Sequence, residues 1–188
     1  IPEYQVAVIN GGSEILGLTY SSAKRNVKER RMNSQQGLMQ MVPSTAITFD
    51  DTDLAYVTGF HHNSLVITIQ IDSATVHRVL IDGGSAVNIL MLSTLKPMGI
   101  DEDRVVKKST NLVGFSGESK SSAGEIVLPV YAKSVTSYDK FSIVDCPSSY
   151  NAILGRPWLH NIRVVPSTYH QFVKIPTRDG TIEPIRGE

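Results

Sequence analysis

From Thr45 onward, apolar and polar residues alternate in short runs, the pattern of half-buried strands rather than of helices. In residues 65–72, "LVITIQID", Val66, Thr68 and Gln70 alternate with Ile67, Ile69 and Ile71, and the β-branched content favours a strand. "TVHRVLID" follows the turn-like Ser73-Ala74 and supplies the second arm of a predicted hairpin. Residues 111–132, "NLVGFSGESKSSAGEIVLPVYA", read as two extended runs around a glycine- and serine-rich tip. "KFSIVD" at 140–145 and "YNAILG" at 150–155 are two further short strands. Helical signals are confined to 93–98 and to 157–161, where Pro157 after Arg156 suits a first helical turn. The predicted class is therefore mainly β. The order strand, glycine, short helix occurs twice, at 79–98 and 150–161, without a solenoid-type repeat.

Residues 1–44 break this pattern, mixing glycine, serine, glutamine and charge, and predict a flexible leader with one short helix at 21–31. The basic cluster within it, Lys24, Arg25, Lys28, Arg30 and Arg31, reads either as a solvated linker or as a weak RNA phosphate contact. No aromatic residue is interleaved there to stack on bases. A length of 188 residues fits one domain with extensions or two very small ones. The start at Ile1 rather than Met suggests a fragment or a processed product, and nothing near it reads as a secretory signal. With 41% hydrophobic residues, no segment approaches the roughly 20 consecutive apolar residues of a membrane span. Cys146 is alone, which rules out an internal disulfide and fits a reducing, cytoplasmic setting. A formal net charge of zero argues against nucleic-acid binding by the chain as a whole.

Several chemistries fall on spacing alone. His61, His62, His77, His160 and His170 show neither the His-Glu-x-x-His order of a zinc site nor cysteine partners, so no metal is expected. "GFSGES" and "DGGSAV" set serine beside glycine without the Gly-x-Ser-x-Gly order of a nucleophile elbow, and no phosphate loop is present. What remains is Asp82 in "VLIDGGSAVNIL", a carboxylate between two apolar runs with Gly83, Gly84 and Ser85 behind it. Two readings stand open at this point. Asp82 opens an Asx-type turn whose carboxylate bonds the following amides, or it is a catalytic acid with glycines that let other groups approach.

"VLIDGGSAVNIL", "LVGFSGE" with Gly124-Glu125-Ile126 behind it, and "YNAILGRPWLHN" together resemble the retroviral-type aspartic proteases, the retropepsins, and in particular the protease region of plant gypsy-type retrotransposon polyproteins. The likeness extends over residues 46–176, with "VVPSTYHQFVKIPT" as closing strands. It implies a closed β-barrel subunit with one or two short helices at 45–188, the leader at 1–44 marking the junction with a gag part. It also implies a homodimer in which the Asp82 carboxylates of two copies act on polypeptide, the chain's own polyprotein, without a cofactor. The family's flap falls on Val113, Gly114, Phe115, Ser116 and Gly117, with Phe115 contacting substrate. Its structural support falls on Ile153, Leu154, Gly155 and Arg156, the arginine pairing in the family with acidic residues around the active-site turn. One position departs: where the family has Thr or Ser to brace the opposite subunit, this chain has Gly83, and Ser85 offers a hydroxyl only further along. A silent dimerisation or spacer module is therefore the alternative to an endopeptidase. Elsewhere, Trp158 reads as a core anchor, Asp72 and Asp145 as strand-end residues, Tyr150-Asn151 as fixing a turn, and Asp50, Asp51 and Asp53 as a solvated acidic face.

Overall fold

The computed structural model describes residues 45–114 and 117–188. The expected leader with its helix and basic cluster, and flap residues Phe115 and Ser116, lie outside the described residues. Six strands close into a barrel: β1 (Val66–Ile71), β2 (Ala74–Ile81), β8 (Ala152–Leu154), β3 (Asn88–Met91), β7 (Val135–Val144) and β6 (Gly124–Ala132), which returns to β1. β1 with β2 and β6 with β7 are antiparallel hairpins, whereas β8 runs parallel to β2 and β3 parallel to β7. These parallel pairings position the site. Because Ile81 pairs in parallel with Leu154, the next residue of each strand, Asp82 and Gly155, emerges on the same rim of the barrel. β3 lies antiparallel to β8, so its first residue, Asn88, starts at that rim too.

The alternation in β1 is borne out: Ile67, Ile69 and Ile71 are buried in the barrel core with Leu128, Phe141, Ile143 and Leu154. Each such side chain contributes about 1.5–3 kcal/mol of transfer free energy. Trp158 is a core anchor, wholly buried, on the short helix Arg156–Asn161 that follows β8. The other helix, Leu92–Leu95, is one turn, shorter than the stretch predicted at 93–98. Beside the barrel are a two-stranded hairpin, β4 (Asn111–Val113) with β5 (Ser119–Ser121), and a sheet of β9 (Val165–Ser167), β10 (Phe172–Pro176) and β11 (Ile182–Arg186). No described helix is long and apolar enough to cross a membrane.

Where the sequence reading and the fold differ, the causes are local. The first hairpin turns at Asp72-Ser73 rather than Ser73-Ala74, with Asp72 in the left-handed region at φ 54°, which Asp tolerates better than most residues. β2 carries a bulge: the register slips between Ile67 and Ile69, and Arg78 sits at φ 55°. The freed Arg78 N–H donates to the Glu188 carboxylate at 3.0 Å, and the Thr68 hydroxyl donates to the same oxygen. The described residues of 111–132 form three strands, not two, with Gly114, Gly117 and Glu118 joined by hydrogen bonds at the tip and Gly124 opening β6. Gly124 is required there, since a Cβ would come within 2.6 Å of the Val106 carbonyl oxygen and of the Val105 side chain. The acidic face at 50–53 is not simply solvated: Asp50 caps the 3₁₀ turn Asp51–Tyr56, and Asp53 pairs with Lys174 at 2.7 Å. That hydrogen bond from Lys174 holds the Asp53 carboxyl below its ordinary pKa.

Candidate active site

Asp82 leaves β2 with its N–H donated to the Leu154 carbonyl of the neighbouring parallel strand at 3.0 Å. The chain then turns, Ser85 N–H donating to the Asp82 carbonyl at 3.1 Å and Gly84 N–H to Asp82 Oδ1 at 2.8 Å. The Asx turn anticipated from local sequence is therefore present. It does not exclude a catalytic role, because it fixes one carboxylate oxygen and, among the described residues, leaves Oδ2 without a partner. The residue is half-buried, and Gly83 and Gly84 beside it are exposed. At Gly84 a Cβ would stand 3.1 Å from Asp82 Oδ1, a tight contact that the carboxylate would have to yield to. Gly83 is different: a Cβ on it meets nothing within 4 Å. Its missing side chain is no packing requirement among the described residues.

The turn rests on the start of the helix Arg156–Asn161. At Gly155 a Cβ would fall 2.4 Å from the Val87 carbonyl oxygen and 2.8 Å from that of Ser85, so only glycine lets the two backbones meet. Arg156 N–H donates to the Ser85 carbonyl at 3.0 Å, and Arg156 Nη1 donates to the carbonyls of Gly84 at 2.7 Å and Gly83 at 3.1 Å. Arginine support of the turn, expected through acidic partners, is made instead through backbone carbonyls. Residue 86, an alanine, offers no carboxylate beside it. Ser85 uses its hydroxyl within the turn, donating to the Val87 carbonyl at 2.7 Å. Ile153 and Leu154 pair with Leu80 and Ile81 and deliver Gly155 to the rim.

Asn88 is a residue that sequence reasoning passed over. Only 1% exposed, it accepts the Gly155 N–H on Oδ1 at 2.9 Å and donates from Nδ2 to the Lys140 carbonyl at 3.2 Å. The signal available was a polar residue inside the apolar run "AVNIL", which needs a hydrogen-bonding reason once buried.

The predicted flap residues Val113, Gly114 and Gly117 do sit at one hairpin tip. Gly114 N–H donates to the Glu118 carbonyl and Gly117 N–H to that of Gly114, with Gly117 at φ 83°. No hydrogen bond among the described residues joins this tip to the Asp82 turn. The foot of the hairpin is tied more firmly: the Thr110 hydroxyl and the Lys140 ammonium donate to Glu125, and Lys108 lies 3.8 Å away. Burial works to raise the Glu125 pKa, but the Lys140 charge and the hydrogen bonds from Lys140 and Thr110 outweigh it and leave the carboxyl below its ordinary value.

No protein-family model matches the sequence, and no curated protein matches it. Solved structures do resemble the fold. The retroviral protease-like domain of Ddi1 from Leishmania major superposes with a TM-score of 0.53 at 16% identity, over 68% of this chain and 96% of that one. The EIAV protease in complex with an inhibitor gives a TM-score of 0.48 at 18% identity, over 59% of this chain and 99% of that one. At 16% identity to the Ddi1 domain it is the architecture that is shared: a mainly β chain with the closed barrel of the retropepsin-like fold.

Proposed function

We propose, starting from the retropepsin-like fold, that this chain is one subunit of an aspartic endopeptidase and that Asp82 is its catalytic acid. The observation that carries this reading is the Asp82 turn itself, with Oδ1 held by the Gly84 N–H and the exposed Gly83-Gly84 backbone beside it. Metal-free peptide hydrolysis needs a base to activate water and an acid to protonate the leaving amine. Two carboxylates about 3 Å apart serve as both, because they cannot ionise together and so share one proton. One chain supplies a single such carboxylate, so a second copy completes the site across a two-fold axis. The open space beyond Gly83 suits the approach of that copy.

The substrate in this reading is an extended polypeptide, bonded as an added strand beneath the hairpin that carries Val113, Gly114 and Gly117. Motif resemblance further supports a retrotransposon polyprotein as the setting, with 45–188 the protease region, 1–44 a leader, and cleavage in the cytoplasm of the chain's own junctions. The Lys24–Arg31 cluster would at most add a weak RNA contact there.

Asp82→Asn tests the reading. Turnover of an extended peptide, blocked by a statine-type inhibitor in the wild type, should fall about a thousandfold or more while the far-UV spectrum is unchanged. Equal turnover by both proteins would sink the assignment, and no turnover by a wild-type dimer between about pH 4 and pH 7 would leave a silent dimerisation module.

A further inference from the structure

We infer that Asn88 is a positioning residue for the Asp82 turn, acting from inside the barrel through the Gly155 N–H. The inference rests on the endopeptidase reading for its kinetic consequences but not for its structural ones. Asn88 is the first residue of β3, only 1% exposed, at the edge of an apolar core that includes its strand neighbour Leu90 and Phe141, Ile143 and Leu154 of the adjoining strands. Both ends of its amide are used: Oδ1 takes the Gly155 N–H and Nδ2 reaches the Lys140 carbonyl on β7. It thereby links β3, β7 and the end of β8 at one point.

What it holds there is the ledge on which the turn lies. Gly155 touches the backbone of Ser85 and Val87 so closely that no Cβ fits, and Arg156, the next residue, makes three hydrogen bonds to carbonyls of the turn. Gly155 has no side chain and, as the residue before a six-residue helix, no side-chain cap to fix it. Its amide direction is instead set by Asn88. A shift of Gly155 would carry the Arg156 donors with it, and the Gly83 and Gly84 carbonyls they hold flank the amide that grips Asp82 Oδ1. In a chain without a hydroxyl at position 83, this internal support acts on the turn from its own subunit.

Two variants and two readouts test the role. Asn88→Leu keeps the size and removes both hydrogen bonds. Asn88→Asp, when protonated, can accept from Gly155 and donate to Lys140 as the amide does; on ionising it keeps the acceptor for Gly155 but sets a buried charge against the Lys140 carbonyl in place of the donor, which forces the side chain out of that geometry. In amide hydrogen exchange on the intact chain, Asn88→Leu should speed Gly84 and Arg156 about tenfold relative to Ile143 of the barrel core. Asn88→Asp should match wild type near about pH 4 and approach the Leu variant near about pH 7. In peptide turnover, Asn88→Leu should lower kcat about tenfold with KM within about threefold, and Asn88→Asp should show a kcat loss confined to the neutral side of the pH profile.

Parallel acceleration of Gly84, Arg156 and Ile143 in both variants would mean global destabilisation only and would overturn the inference. Unchanged Gly84 exchange in a folded Asn88→Leu protein would overturn it equally. If Asn88→Leu does not fold, the pH response of Asn88→Asp decides alone. Since exchange needs no catalysis, an inactive wild type would remove the endopeptidase reading while leaving this test intact.

Discussion

Gly83 has room for a side chain that it does not carry, and its backbone is outside the left-handed region that would demand glycine. Gly155 is the opposite case, held so close to the Val87 and Ser85 carbonyls that a Cβ would strike them. Gly83→Thr should therefore fold normally. If a second copy does meet this turn, the added hydroxyl gains a hydrogen bond of about 1 kcal/mol on each subunit, tightening the dimer roughly tenfold to thirtyfold. Sedimentation equilibrium measures this, and an unchanged dimer constant would show that position 83 does not face a partner. The catalytic role proposed for Asp82 rests on several motifs together, since the local string by itself favours a turn and the turn is indeed there. Asn88 was not legible, because burial and not residue type gives it a function, and one asparagine among apolar residues does not announce which carbonyl and amide lie opposite.

Strands whose inward positions are apolar were readable, and β7 marks where that fails. Its second half, Phe141 to Val144, is buried and was anticipated as "KFSIVD". Its first half points Ser137 and Asp139 inward and leaves Tyr138 73% exposed, an inversion of the usual pattern. The inversion is sustained by pairing: Ser137 donates to Asp139 at 2.5 Å and Asn161 donates from the neighbouring helix at 3.4 Å. Burial nonetheless pushes the Asp139 pKa up, the two hydrogen bonds only partly opposing it. The folded state thus holds this proton to higher pH than the unfolded chain, and the associated stability, full below the unfolded pKa, is lost as pH rises through the folded one. Asp139→Asn should accordingly raise the melting temperature by about 2–4 °C near about pH 7, with the gain vanishing near about pH 3. An equal gain at both pH values, or a loss at pH 7, would contradict that account. The β4–β5 hairpin gives the reverse sign. Glu125 has a lowered pKa, so its ties to Lys140 and Thr110 are present above the unfolded pKa and weaken as pH falls through the folded one. Glu125→Gln should speed exchange of the Ser122 amide, which bonds Thr110 at the hairpin foot, about threefold while Ile143 is unaffected. Unaltered Ser122 exchange would remove the carboxylate from the hairpin's support.

The described residues present a closed barrel with the Asp82 carboxylate at its rim and exposed backbone beside it. The barrel's class was legible because alternation, turn residues and two strand-glycine-helix repeats all agreed. Its strand order was not, since the parallel pairings of β2 with β8 and β3 with β7 join segments about 50–70 residues apart in sequence and leave no local signal. Those pairings set Asp82 beside Gly155 and Arg156, and in the proposed dimer two such rims meet. Mixing wild type with Asp82→Asn at fixed total protein, after subunit exchange, tests this most directly. If each site needs both Asp82 carboxylates, turnover follows the square of the wild-type fraction, so an equal mixture retains about a quarter of the wild-type rate. A rate linear in the wild-type fraction, about half at the equal mixture, would contradict a site shared between two copies.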